Sequence, residues 1–341
     1  MAWRFFVFIR IHTWAGIRIF VEMKLSAPMK RISILWLALI ALVLCGMSCC
    51  RKDAPRQRAK HVVMIGIDGW AAEAVRLAPA QDLPNIHYLM DHGAWTLSKR
   101  SVMPSASAIN WASSFNGLPT EMHGFDKWNS THGTIPSTSD NGHGIPPTIF
   151  TIIREQHPHA KTGLLYDWDG VGAVADTLAM SWHRWLKTYT SQDDVIVPLP
   201  DYTKIATDYI KENKPEFVCL YYGSLDEAGH VRGWYTPVYM ERQRQLDAEI
   251  GRVMDALKEA GIFEDTIIIL TADHGGKGSG HGGFTLLELE TPFVVAGKGI
   301  KEGYEIALPM MMYDTPAIVA DLLGIRIPAD WRGRPYPEIY K

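Results

Sequence analysis

Three stretches of the chain are apolar at almost every position, and each runs into a carboxylate. His61-Val62-Val63-Met64-Ile65-Gly66-Ile67 ends on Asp68, Glu216-Phe217-Val218-Cys219-Leu220-Tyr221-Tyr222 leads to Asp226, and Thr266-Ile267-Ile268-Ile269-Leu270 leads to Asp273. An unbroken apolar run without alternation predicts a strand buried on both faces, as in a parallel sheet covered by helices. Helical stretches lie between them: Pro84 to His92 closed by Gly93, Tyr202 to Asn213 stopped before Pro215, and about Pro237 to Ala260 ended by Gly261. This alternation predicts an α/β fold, a doubly wound, mostly parallel sheet with helices on both faces. Ligands of such sheets bind beyond the carboxyl ends of the strands, which is where all three acids fall. The stretch from Asn129 to Pro147 is rich in Gly, Ser, Thr, Pro and Asn and reads as a long surface loop. No internal repeat interrupts the pattern.

The N-terminus follows a different pattern. Lys30-Arg31 precedes an apolar run from Ile32 to Leu44, then Cys45-Gly46-Met47-Ser48-Cys49-Cys50 and a polar stretch to Arg58. A basic start, a short apolar centre and small residues before a cut are the marks of an export signal. The run is short of the roughly 20 apolar residues a spanning helix needs, and an uncleaved anchor is the alternative. Ser48-Cys49 resembles a bacterial lipoprotein cleavage site, with Gly46 where an aliphatic residue is usual, so membrane contact is expected only through a lipid on Cys49 or the signal itself. Met23 and Met29 both suit a signal start. The expected organisation is an upstream segment 1–22, a signal peptide or lipoprotein signal 23–50, a linker 51–60, and a single domain 61–341 with a lid-like insertion around 125–200. The expected destination is the periplasm or cell envelope.

Composition narrows the field. With 47% apolar and 21% charged residues among 341, whole-chain disorder is excluded. Lys+Arg number 34 against 37 Asp+Glu, a net charge of -3 without a basic block, so no nucleic-acid partner is expected. Three of the 4 cysteines sit at the N-terminus, which leaves Cys219 alone in the body and no internal disulfide there.

Candidate chemistry gathers at the strand ends. Thr271-Ala272-Asp273-His274-Gly275-Gly276 sets a carboxylate and an imidazole side by side, good ligands for a zinc-like ion, although Asp-His-Gly also makes ordinary turns. Asp226-Glu227-Ala228-Gly229-His230 places Asp226 and His230 on one helical face, where a surface ion pair is the plain alternative. Asp68 in Gly66-Ile67-Asp68-Gly69 is either a third ligand or a strand-to-helix turn. In Val102-Met103-Pro104-Ser105-Ala106-Ser107-Ala108-Ile109-Asn110-Trp111, a serine opens a helix, where the dipole favours an oxyanion or phosphate. Helix capping by Ser105 or Ser107 explains the same spacing without chemistry. Weak singly, these four point together to one pocket.

The order Asp68, Ser107, Asp226-x-x-x-His230, Asp273-His274 resembles the alkaline phosphatase superfamily, in its type I phosphodiesterase and nucleotide pyrophosphatase branch, over residues 61–341. Ser107, Asn110, Gly117 and His123-Gly124 match the branch's pattern of a hydroxyl residue, then Asn, then a Gly-to-His-Gly turn, with Pro119 one position early. The resemblance implies Ser107 as nucleophile, favoured over Ser105 by its spacing to Asn110. It also implies two divalent metal ions, zinc in such relatives, one held by Asp68, Ser107, Asp273 and His274 and the other by Asp226, His230 and a further histidine. No histidine follows His281, in Gly278-Ser279-Gly280-His281-Gly282-Gly283, so His281 takes that place, an exposed loop histidine being the alternative. Departures are Ile109 for a frequent Pro, Ser for the commoner Thr, and Asn129 one residue late for the phosphate-binding Asn, with Trp128 in its place and Lys127 as substitute donor.

The implied function is that of an exported metal-dependent hydrolase of phosphodiester or pyrophosphate bonds in a small-molecule phosphate ester, working through a phosphoserine. Without clear cationic donors beside Ser107 beyond Lys127 and the more distant Lys99-Arg100, the dianionic group of a monoester is disfavoured. A phosphomonoesterase or a sulfatase-like esterase is the alternative of the same class, although Ser107-Ala108-Ile109-Asn110-Trp111 lacks the sulfatase Cys/Ser-x-Pro-x-Arg pattern. A catalytically inactive metal-binding module of the envelope is the alternative of another class. Trp168, Trp182 and Trp185 either pack or stack on a base or a choline-like head.

Overall fold

The structure, a computed structural model, describes residues 9–12, 18–21 and 56–341. Upstream, β1 (Ile9–His12) and β2 (Arg18–Val21) pair antiparallel, Ile9 opposite Val21. The expected signal 23–50, with Cys45, Cys49 and Cys50, lies outside the described residues. Among the described residues no helix is long and apolar enough to cross a membrane.

In the body, β3 (His61–Ile67), β4 (Gly93–Arg100), β5 (Thr162–Tyr166), β6 (Trp182–Trp185), β7 (Phe217–Tyr222), β8 (Thr266–Thr271), β9 (Glu290–Gly297) and β10 (Tyr304–Glu305) form one sheet in the order β10-β4-β9-β8-β3-β7-β5-β6. β9 runs antiparallel to both neighbours, and all other pairings are parallel. The three acid-bearing strands are therefore central and adjacent. Their register is level, Ile67 standing opposite Tyr222 and Gly66 opposite Thr271, so Asp68, Asp273 and the helix carrying Asp226 leave the sheet at one edge.

Helices cover both faces. They are α1 (Ala72–Leu77), α2 (Pro84–Asp91), α3 (Ser107–Asn116), α4 (Thr120–His123), α5 (Ile149–Gln156), α6 (Asp169–Val174), α7 (Leu199–Asn213), α8 (Ser224–Arg232), α9 (Pro237–Glu259), α10 (Leu286–Leu289) and α11 (Thr315–Leu323). Alternate strand residues feed two separate cores: Val62 and Met64 of β3 pack with α3, α5 and α11, while Val63, Ile65 and Ile67 pack with α2, α7 and α9. Gly66 leaves room on the first face for Trp111 of α3, whose ring would lie 2.4 Å from a Cβ placed there.

Within the stretch 125–200, read as a lid-like insertion, β5 and β6 belong to the main sheet, because Thr162–Tyr166 is buried at every position and pairs with β7. Of the linker 51–60, Arg58 and Ala59 donate backbone hydrogen bonds to the carbonyl of Leu322, which seats this stretch against α11.

Candidate active site

The sheet edge builds one half of the site. Asp68 follows β3 directly and is 1% exposed. Its Oδ2 accepts hydrogen bonds from Trp111 Nε1 (2.9 Å) and the Tyr221 hydroxyl (2.5 Å), leaving Oδ1 3.4 Å from both Ser107 Oγ and His274 Nε2. Ser107 is the first residue of α3, whose N-cap is Ala106 and has no side-chain cap, so its hydroxyl is not spent on capping. That Oγ stands 3.1 Å from His274 Nε2. Asn110 fixes the approach: its Oδ1 accepts from Val102 N (2.7 Å), and its Nδ2 donates to the carbonyls of Val102, Pro104 and Ala106. The Ser107–Asn110 spacing thus has a structural cause, a side chain that shapes the loop ahead of the serine. Asp273 accepts from Gly69 N (3.0 Å) through Oδ1, while its buried Oδ2 has no hydrogen-bond partner.

The other half rests on α8 and a glycine-rich loop. One helical turn brings Asp226 Oδ2 within 3.2 Å of His230 Nε2. His281 Nε2 lies 3.1 Å from the same nitrogen and 3.8 Å from Asp226 Oδ1, a buried oxygen without a partner. The His281 ring also stacks on His274, centroids 3.7 Å apart, which joins the two halves.

The histidine tautomers decide what this arrangement can hold. A carbonyl only accepts, so the contacts of His230 Nδ1 with Ser279 O (3.1 Å), His274 Nδ1 with Gly275 O (2.9 Å) and His281 Nδ1 with Ser105 O (2.9 Å) put the proton on Nδ1 in each. In the neutral rings the Nε2 lone pairs then face the cluster. Two such lone pairs at 3.1 Å repel unless a proton or cation lies between them, and two nitrogens on a tetrahedral zinc at about 2.0–2.1 Å stand about 3.3 Å apart. The donor set, two orphaned carboxylate oxygens included, fits divalent cations. Asp226, His230 and His281 form one ligand group, and Asp226 also joins Asp68 and His274 in a second, so it stands between the two.

The electrostatics agree. Burial, with Asp226 adding, pushes Asp68 up to about 7 against its donors Tyr221 and Trp111. Burial and the neighbouring Asp68 and Asp226 drive Asp273 well above the usual carboxylate range. Burial also raises Asp226, but its bond to His230 and the charges of His281 and His274 outweigh that and hold it below its ordinary value. The hydrogen bond to Asp226 lifts His230 to about 9, while burial and His274 take His281 down to about 4. Carboxylates crowded in this way lack positive charge.

Both halves open into a cavity of about 740 Å³. Beyond the groups described, its wall carries four acids, Asp126, Asp167, Asp169 and Glu227, against the single basic side chain of Lys187. Trp168 and Trp185 line it, as does the exposed Trp128. Trp182 does not; it stacks on Tyr209 at 4.4 Å. Asn129 and Lys127 are exposed and are not among the residues lining this cavity. Lys99 is buried, donating to Thr271 Oγ1 (2.5 Å) and Ala272 O (2.8 Å), and Arg100 pairs with Glu290 at 3.2 Å. Sequence reasoning missed Tyr221 and Trp111 as partners of Asp68. The one available signal was a polar-tipped aromatic at the end of a buried strand, beside the edge where the acids emerge.

The profile of the type I phosphodiesterase / nucleotide pyrophosphatase family matches residues 62–302. Ectonucleotide pyrophosphatase/phosphodiesterase family member 1 of Rattus norvegicus is 24% identical over 242 residues, covering 67% of this chain and 26% of that protein. Arylsulfatase K of Danio rerio is 29% identical over 112 residues, 31% of this chain and 21% of that protein, so the chain spans about a quarter of the length of these curated relatives. Among solved structures, an inactive variant of murine ectonucleotide pyrophosphatase / phosphodiesterase 5 in complex with AMP superposes with a TM-score of 0.62 at 15% identity, over 81% of this chain and 97% of that one. A 2-O GAG sulfatase gives 0.65 at 15% identity, over 82% and 74%. At such identities the superpositions show the common fold, the mostly parallel α/β sheet expected from the strand pattern.

Proposed function

The chain belongs to the type I phosphodiesterase / nucleotide pyrophosphatase family, and from that membership we propose that it hydrolyses phosphodiester or pyrophosphate bonds of small molecules with Ser107 as nucleophile. Asp68, Asp273 and His274 with the Ser107 oxygen would hold one divalent ion, and Asp226, His230 and His281 the other, zinc being the ion that imidazole and carboxylate ligands suit. Such ions, when bound, supply the charge that lowers the pKa of a hydroxyl and stabilises the entering and leaving oxygens.

The chain's own groups do the rest. Ser107 Oγ gives up its proton and forms the new P–O bond as the ester oxygen leaves with its electron pair and takes up a proton; water then cleaves the seryl ester, its hydroxyl going to the phosphorus that leaves as the second product and a proton returning to Oγ. The N-terminal end of α3 favours negative charge on that oxygen. Trp111 and Tyr221 hold the Asp68 carboxylate in one orientation. Burial pushes Asp167 and Glu227 of the cavity wall up to about 7, so the negative excess over Lys187 is smaller than four to one, yet it repels a dianion more than a monoanion, which favours diesters over monoesters.

The observation that carries this reading is the Ser107 oxygen, free of capping and 3.1 Å from His274 Nε2 in the cavity wall. Assaying bis(p-nitrophenyl) phosphate against p-nitrophenyl phosphate, with and without chelator, separates diesterase, monoesterase and inactive binder. A trapped p-nitrophenylphosphoryl group on residue 107 is the expected mass-spectrometric signature with the diester substrate; full turnover after Ser107→Ala overturns the assignment. Export and acylation at Cys49 are part of the proposal, supported by Lys30-Arg31 and the apolar run behind it. Radiolabelled lipid on the wild type but not on Cys49→Ala tests that part.

A further inference from the structure

His281 is presented by a backbone that cannot hold it alone. Its loop, Gly278 to Gly283, contains four glycines, with Gly278 and Gly282 at φ of +62° and +104°. Trp234 N and His230 hold its first residues through the carbonyls of Gly278 and Ser279, and two residues, Glu288 and Ser105, hold the part at and after His281. Glu288 accepts from Gly283 N at 2.8 Å. Ser105, fully buried, does more: its hydroxyl donates to Gly283 O (2.7 Å) and accepts from Gly282 N (3.2 Å), while its carbonyl accepts from His281 Nδ1 (2.9 Å).

Both capacities of the hydroxyl are therefore used on the two residues that follow His281, and the carbonyl fixes the tautomer that leaves Nε2 free. Ser105 is itself held in place, since Asn110 Nδ2 grips the carbonyls of Pro104 and Ala106 on either side. Ser107 lies two residues on. One short segment, anchored by one asparagine, thus carries the nucleophile of the first half and the clamp of the second.

We propose that Ser105 is a positioning residue that holds His281 in the second cation cluster and fixes that cluster relative to Ser107, an inference that rests on the two-ion reading above. Groups that orient a metal-binding histidine are worth about 10–100-fold in ion affinity.

The test loads the full chain with cobalt(II) and follows chelator titration and the visible absorption of the bound ion for wild type, Ser105→Ala, Ser105→Thr and His281→Ala. Expected for Ser105→Ala is one ion held as in wild type and the other weakened about 10–100-fold, with an altered spectrum, and recovery in Ser105→Thr, which keeps the hydroxyl. Unchanged affinity for both ions in Ser105→Ala, equal weakening of both, or no recovery in Ser105→Thr overturns the proposal while leaving the two-ion site standing. Should the wild type bind fewer than two ions, or His281→Ala retain both, the two-ion reading fails and the inference with it. Where Ser105→Ala does not fold, Ser105→Cys, which puts a thiol, a weaker donor and acceptor, in the hydroxyl's place, gives the same comparison.

Discussion

The two halves of the site are made differently. Asp68, Ser107, Asp273 and His274 sit at strand ends and a helix start, none more than 6% exposed, and the meeting of Asp68 with Asp273 and His274 follows from the register of β3 and β8. Asp226, His230 and His281 meet through one turn of α8 and a glycine-rich loop, with the His230 side chain 41% exposed. The first half is fixed by the fold; the second is fixed by side-chain contacts and can be tuned without disturbing the sheet.

Removing the proposed nucleophile, Ser107, is expected to give the largest effect on the first half. Ser107→Ala is expected to lower turnover of bis(p-nitrophenyl) phosphate by about 10⁴-fold or more while ion stoichiometry stays at the wild-type value. Next, the halves should respond oppositely when a ligand is neutralised in chelator-stripped protein. Asp273→Asn relieves the repulsion among three buried carboxylates and should raise the melting temperature, yet reduce the rise produced by adding zinc. His230→Ala removes the hydrogen bond that lifts this ring to about 9 and holds Asp226 down, so it should lower the stripped protein's melting temperature at neutral pH and also weaken ion binding. Equal shifts in both variants would break the distinction drawn here.

Smaller effects sharpen it. Tyr221→Phe removes one of the two donors to Asp68 Oδ2 and should weaken one ion by about 10–100-fold in a competition titration, leaving the other untouched. Asp167 provides a baseline outside both halves. Buried, and held by Thr188 Oγ1 and Gly223 N, its carboxyl is pushed by that burial from 3.8 up to about 7. Between those values the folded chain binds the extra proton, so stability falls as pH rises from about 4 to 7. Urea midpoints of stripped protein should show that fall, and Asp167→Asn should flatten part of it.

Much of this was legible from runs of residues. Three apolar stretches ending on acids gave three adjacent strands, and the long helix expected from Pro237 to Ala260 spans Pro237–Glu259. The reversed direction of β9 was not legible, because a strand buried on both faces reads the same either way. Nor was the division of the tryptophans: Trp182 turns to Tyr209 while Trp185, three residues on, faces the cavity, and only the pairing of β6 with β5 separates them. Asp167 and Glu227 carry no local pattern that marks them as cavity wall, since their place depends on segments distant in sequence.

The Gly66 and Trp111 contact has a consequence for how such a chain can change over time. The indole that fills the space above Gly66 is the same one that donates to Asp68 Oδ2. A bulkier residue at 66 would have to be accompanied by a smaller one at 111, and that exchange would strip a donor from the carboxylate. Drift at these two positions is therefore coupled, and it is the carboxylate beside Ser107, not the sheet itself, that resists it.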